Sequence, residues 1–128
     1  MQIKKITALL LVEEVEPCVK FWTERMGFEK TAEVPDGGKL VFAMLQKGGA
    51  EIMYQTYASV EKDNPHPDAV ARKGPTFLYI EVDNLAETMA ATAGAEVVMA
   101  ERTTFYGSKE FGIKDPAGHM LTFAQFGG

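Results

Sequence analysis

Apolar residues recur along this chain in two rhythms, one of helices and one of strands. Ile3 to Val12 is a nearly unbroken apolar run of strand length, followed by Glu13 and Glu14, whose charge suits the positive end of a helix. Pro17 fits the first turn of that helix, where a missing N–H costs nothing. Val15, Val19, Trp22 and Met26 recur at helical spacing beside Phe21, so the helix carries an apolar stripe for a sheet, and Gly27 closes it. Phe28 to Val34 and Leu40 to Gln46 read as a hairpin around Pro35-Asp36-Gly37-Gly38, and Glu51 to Tyr57 as a fourth strand. Ala58 to Pro75 is polar and carries Pro65, Pro67 and Lys73-Gly74-Pro75, the signature of a linker. Thr76 to Val82 then forms a strand, Asp83-Asn84 caps a helix from Leu85 to Ala93, and Gly94 closes it. Strands follow at Glu96 to Thr104, Lys109 to Lys114 and His119 to Phe126.

The two halves repeat one layout of strand, helix and three strands. Laid over one another, Thr7 falls on Phe77 and Met53 on Thr122, offsets of 70 (77 − 7) and 69 (122 − 53). The fold class is α+β: tandem βαβββ modules forming a curved eight-stranded mixed sheet around a concave pocket, where function should sit. Module one spans 1–57, a linker 58–75 and module two 76–128, all within a single domain.

Composition narrows the partners. The chain has 128 residues, 46% hydrophobic and 24% charged, which is ordinary for one globular domain. A net charge of −5 without a Lys/Arg run argues against nucleic acid and against an anionic membrane. No apolar run is long enough to span a bilayer, and MQIKKITALLLV lacks a signal-peptide cleavage site. Cys18 is the only cysteine, so no intrachain disulfide forms and a cytoplasmic location is expected.

The layout, with FWTERMGFE across the first helix-closing glycine and DPAGHMLTFAQ at the last turn and strand, resembles the vicinal oxygen chelate superfamily. That group includes glyoxalase I, extradiol dioxygenases, fosfomycin resistance enzymes and bleomycin resistance proteins. The resemblance covers nearly the whole chain and implies the glyoxalase/bleomycin resistance fold. Its catalytic members set His, Gln or Glu at up to four inward-facing strand positions, where lone pairs converge on a divalent metal. The resemblance carries those positions onto Thr7, Met53, Phe77 and Thr122, none of which is a usual ligand. No metal and no cofactor is therefore expected. A slip of one residue would turn each strand inside out; a slip of two brings up Glu51, Gln55, Tyr79 or Glu81 and leaves a displaced site open.

Other chemistry is thin. His119 follows Gly118 in the last turn and reads as a turn residue; His66 reads as a solvated linker residue, and Cys18 as a small buried hydrophobe. No nucleophile elbow, CxxC or phosphate loop is present.

Period-two alternation puts Leu10, Val12, Ile52, Tyr54, Leu78, Ile80, Leu121 and Phe123 against the helices. Leu9, Leu11, Glu51, Met53, Gln55, Phe77, Tyr79, Glu81, Glu110, Met120 and Thr122 then face the concavity. With Thr7, and with Tyr106 of the aromatic–Gly pair in FYGSKEF, they form the candidate ligand-binding set. The plainer reading is that these groups pack on each other or on a dimer partner. The stronger one is a pocket for an apolar or aromatic, cationic molecule, with Glu110 as its charge contact. On this reading the chain is a metal-independent, homodimeric binding protein of the bleomycin resistance type, with no catalytic residue. The alternative is a lyase, isomerase or dioxygenase of the glyoxalase type, with a displaced metal at Glu51, Glu81 or Glu110, or with Glu110 or Glu51 as a general base.

Overall fold

The computed structural model describes residues 1–2, 4–64 and 75–127, and His66 lies outside them. The chain divides into two compact units, Met1–Arg72 and Lys73–Gly128. Each contains one four-stranded mixed sheet, so the eight anticipated strands are present and the fold is α+β.

In the first unit the strands are β1 (Ala8–Val12), β2 (Glu29–Asp36), β3 (Lys39–Lys47) and β4 (Ala50–Thr56), in the spatial order β1-β4-β3-β2. β1 runs parallel to β4, which needs a crossover, and helix α1 (Glu16–Lys20) with its π-helical continuation Phe21–Arg25 supplies it. The helix begins later than Glu13-Glu14. Glu16 takes the first-turn acidic place, and its carboxylate accepts the Leu40 N–H at 2.7 Å, which ties the helix to β3. Wider winding after Lys20 alters the expected stripe: Val15, Cys18, Phe21 and Trp22 are buried, whereas Val19 and Met26 are only half-buried. Under the helix, Trp22 Nε1 donates to the Tyr54 hydroxyl at 2.7 Å, and Leu10, Val12, Leu45 and Ile52 complete the core.

The hairpin turn is shorter than its sequence signal. Pro35 and Asp36 still belong to β2, and Gly37 and Gly38 alone make the turn, with φ of 61° and 83° that a two-residue hairpin requires. Pro35 is tolerated because β2 is an edge strand. The stretch read as linker begins with a helix instead, α2 (Tyr57–Asp63), whose Thr56 side chain accepts the Ser59 N–H.

The second unit repeats the arrangement. β5 (Phe77–Glu81), β6 (Val97–Thr103), β7 (Ser108–Lys114) and β8 (Met120–Phe126) stand in the order β5-β8-β7-β6, with β5 parallel to β8. Helix α3 (Leu85–Ala91) makes the crossover, and Asn84 caps it by accepting the Glu87 N–H at 3.0 Å. Phe111 stacks on Phe123, and Ile113 and Leu121 are buried beside them. The two units share one register: Leu9 pairs with Met53 and Tyr79 with Thr122, the same offsets of 70 (79 − 9) and 69 (122 − 53).

Candidate functional site

In the first unit the candidate residues stand together on the face of the sheet away from α1. Leu9 pairs with Met53 and Leu11 with Gln55, and residues paired across a ladder share a face. Thr7 lies just before β1, and its hydroxyl donates to Glu51 at 2.8 Å. Lys5 forms an ion pair with the same Glu51 oxygen at 2.8 Å, and these two contacts hold the Glu51 pKa below the ordinary carboxylate value. Gln55 donates to the Ser59 hydroxyl at 3.0 Å. Leu9 is exposed, and Leu11 and Met53 are half-buried.

In the second unit Phe77 pairs with Met120, Tyr79 with Thr122, and Glu81 with Ala124, all on the face away from Phe111 and Phe123. Phe77 and Tyr79 are exposed, at 69% and 54%. Glu110 shares that face and is 0% exposed. It is the hub of a cluster: the hydroxyls of Tyr79, Tyr106 and Ser108 donate to its Oε2 at 2.5, 2.7 and 2.9 Å, and Arg102 Nη2 donates to its Oε1 at 3.1 Å. Burial alone would raise the Glu110 pKa, but the bonds from Tyr79, Tyr106, Ser108 and Arg102 together outweigh it and bring the value down to about 2. The carboxylate in turn holds the Tyr79 phenol, whose pKa rises to about 12.

This arrangement corrects the sequence reading of Glu110 as an open negative charge for a cationic ligand. Its charge is matched by Arg102 and both oxygens are occupied. Glu51 is likewise matched by Lys5. Arg102 and Ser108 were missed, and the reason lies in β6. β6 is irregular against β7 at two places, between Val97 and Met99 and between Met99 and Arg102, so from Val97 to Arg102 it advances five residues (102 − 97) while β7 advances three (113 − 110). Each irregularity turns the following side chains over and the two together restore the alternation at Arg102, but which β7 residue stands opposite it depends on both, so alternation does not reveal the pairing of Arg102 with Glu110. The one usable signal was that Arg102 is the only arginine after the linker. Gly112 allows the irregular pairing: a Cβ there would lie 3.2 Å from the Met99 Cβ.

His119 does what its place in the turn implied. Its Nδ1 accepts the Thr76 N–H at 3.1 Å, and Asp115 Oδ1 accepts the backbone N–H groups of Ala117 and His119, which fixes the D-P-A-G-H turn beside the start of β5. On the opposite side of the sheet, a cleft opens between the end of α3 and β6 and β7, lined by Met89, Ala93, Val97, Phe111 and Ile113. Glu101 is its only charged group, so it lacks the converging polar contacts of the Glu110 cluster.

The family model for the Glyoxalase/Bleomycin resistance protein/Dioxygenase superfamily matches residues 3–123. The chain belongs to this superfamily. No curated protein matches its sequence. Among solved structures, TioX from Micromonospora sp. ML1 is 19% identical with a TM-score of 0.75, over 97% of this chain and 99% of that one. A lactoylglutathione lyase from Agrobacterium tumefaciens is 17% identical with a TM-score of 0.76, over 97% and 94%. A glyoxalase/bleomycin resistance protein/dioxygenase from Nocardioides is 15% identical with a TM-score of 0.75, over 98% and 85%. At these identities the likeness is one of fold.

Catalytic members of this superfamily hold a divalent metal, and the residues here do not fit one. Thr7, Met53, Phe77 and Thr122 offer two hydroxyls, a thioether and a phenyl ring. Of the positions two residues away, Glu51, Gln55 and Tyr79 are bonded to Lys5 and Thr7, Ser59 and Glu110 respectively. Among the described residues no three His, Cys, Asp or Glu side chains gather as a metal site. No helix among them is long and apolar enough to cross a membrane.

Proposed function

We propose that this chain is a metal-independent binding protein of the bleomycin resistance type, which holds a planar aromatic molecule without altering it. The observation that carries this reading is the set of exposed rings on one face of the second sheet. Tyr79 and Tyr106 are anchored at their hydroxyls by a buried carboxylate while the residues remain 54% and 46% exposed, and Phe77, on the same face of β5 as Tyr79, is 69% exposed. An exposed aromatic ring held in one orientation loses little entropy when a flat ligand stacks on it, which is how a binding surface is preorganised.

The enzymatic alternative needs a general base, and the two carboxylates available for it are poorly suited. Glu110, with a pKa of about 2, is a weak base at neutral pH, and Glu51 is also shifted down. The test is calorimetric titration with flat aromatic compounds, followed by mass spectrometry of the recovered ligand. Binding that weakens about tenfold or more in Tyr79→Ala, with the ligand recovered intact, supports the reading. Conversion of the ligand, or binding untouched by loss of the ring, overturns it.

A further inference from the structure

We infer that Arg102, held by Glu110, is the polar recognition group of this aromatic face and receives a carboxylate or similar planar oxyanion on the ligand. The inference rests on the aromatic-binding reading above and adds the chemical class of the ligand's polar end.

The argument starts from which hydrogen-bonding capacity is spent. Glu110 accepts four bonds and is wholly buried, so it has no face left for a ligand. The Tyr79, Tyr106 and Ser108 hydroxyl protons all go to one carboxylate oxygen, so toward a ligand these groups can act only as acceptors. Arg102 is in the opposite position. A guanidinium has five N–H donors in a planar fork; Glu110 takes one at 3.1 Å, Tyr106 is a further side-chain partner, and the Arg102 side chain is 54% exposed. The outward-facing donors of the cluster therefore belong to Arg102.

Charge points the same way. The pair is neutral overall, but its negative member is buried beneath four donors and its positive member reaches solvent. Glu81 shares the face yet stands on β5, at the far edge of the sheet from β6. Three strand spacings separate them, roughly 14 Å, which exceeds a screening length of about 8 Å at physiological salt. Glu81 thus adds no second carboxylate close to Arg102, whose carboxylate partner is the buried Glu110. A planar fork already fixed at one end by a carboxylate is suited to bind a second carboxylate in plane, at small cost in side-chain entropy.

The experiment uses three probes of one shape, 2-naphthoate, naphthalene-2-carboxamide and 2-naphthylmethylammonium, titrated by calorimetry into the full chain and into Arg102→Gln and Arg102→Lys. Naphthoate is expected to bind at least about tenfold tighter than the ammonium compound. Arg102→Gln should bring naphthoate to the level of the carboxamide in that same variant, and Arg102→Lys should restore only part of the preference. Equal binding of all three probes, tighter binding of the ammonium, or a naphthoate preference that survives in Arg102→Gln overturns the inference while leaving the aromatic reading intact. Failure of all three to bind removes both.

Discussion

At the residue scale, two polar contacts carry weight because each fills a buried donor or acceptor. Trp22 Nε1 has the Tyr54 hydroxyl at 2.7 Å, and both residues are almost completely buried. Tyr54→Phe leaves the indole N–H facing a ring edge, and it should lower stability by about 1–3 kcal/mol in urea unfolding. A change under about 0.5 kcal/mol would mean that the indole finds another acceptor. Glu110 gives a pH-dependent signature. Its pKa falls from 4.5 to about 2 on folding, so the stability it contributes is complete above the unfolded value and is lost as pH falls from 4.5 toward 2. Melting temperatures of the parent and Glu110→Gln should therefore differ most near neutrality and converge across that window. A gap that stays constant to pH 2 would remove Glu110 as its source. Alternation alone placed Glu110 on its face, but its charge state was illegible, because the partner that settles it is set by the irregular pairing of β6 with β7.

At the element scale, the strands were easy to read and the irregularities were not. Apolar runs, alternation and turn glycines marked all eight strands, although β1 starts at Ala8 rather than Ile3 and β2, exposed along its whole length, was legible from its place in the hairpin rather than from a buried face. The π-helical turn at Phe21–Arg25, the helix Tyr57–Asp63 and the two irregularities of β6 each depend on tertiary contacts or on inserted residues, and neither leaves a period to detect. The irregular pairing has a further consequence. Because a Cβ at Gly112 would press on the Met99 Cβ at 3.2 Å, with Val98 Cγ2 at 3.5 Å, Gly112→Ala must push β6 away from β7. We expect a loss of about 1–3 kcal/mol and, by NMR, altered chemical shifts at Arg102. An unperturbed Arg102 in a destabilised variant would show that the irregular pairing and the Glu110 cluster are independent.

At the scale of the whole molecule, duplication explains both what the chain retains and what it lacks. The two sheets keep the same strand order and pairing register, so their residues remain equivalent long after their identities diverged. Each sheet ends in two edge strands, β1 and β2 in the first and β5 and β6 in the second. β2 is exposed along all eight residues and is guarded by Glu29, Lys30, Glu33 and Pro35, while β1 has no comparable charges. We therefore expect a homodimer in sedimentation analysis, and a monomer persisting at about 50 µM would contradict it. The second expectation concerns metal. A divalent ion needs several lone-pair donors converging from different strands, and Thr7, Met53, Phe77 and Thr122 cannot supply them. Metal binding to a folded site also stabilises the fold, so its removal must show as a lower melting temperature. Purified protein should thus carry no stoichiometric Zn, Ni, Mn or Fe by elemental analysis, and a chelator should leave melting unchanged. One tightly held ion per chain, with melting that drops on chelation, would move the site to Glu51, Glu81 or Glu110, at the cost of the Lys5 pair at Glu51 or the Arg102 pair at Glu110, and would return the enzymatic reading to first place.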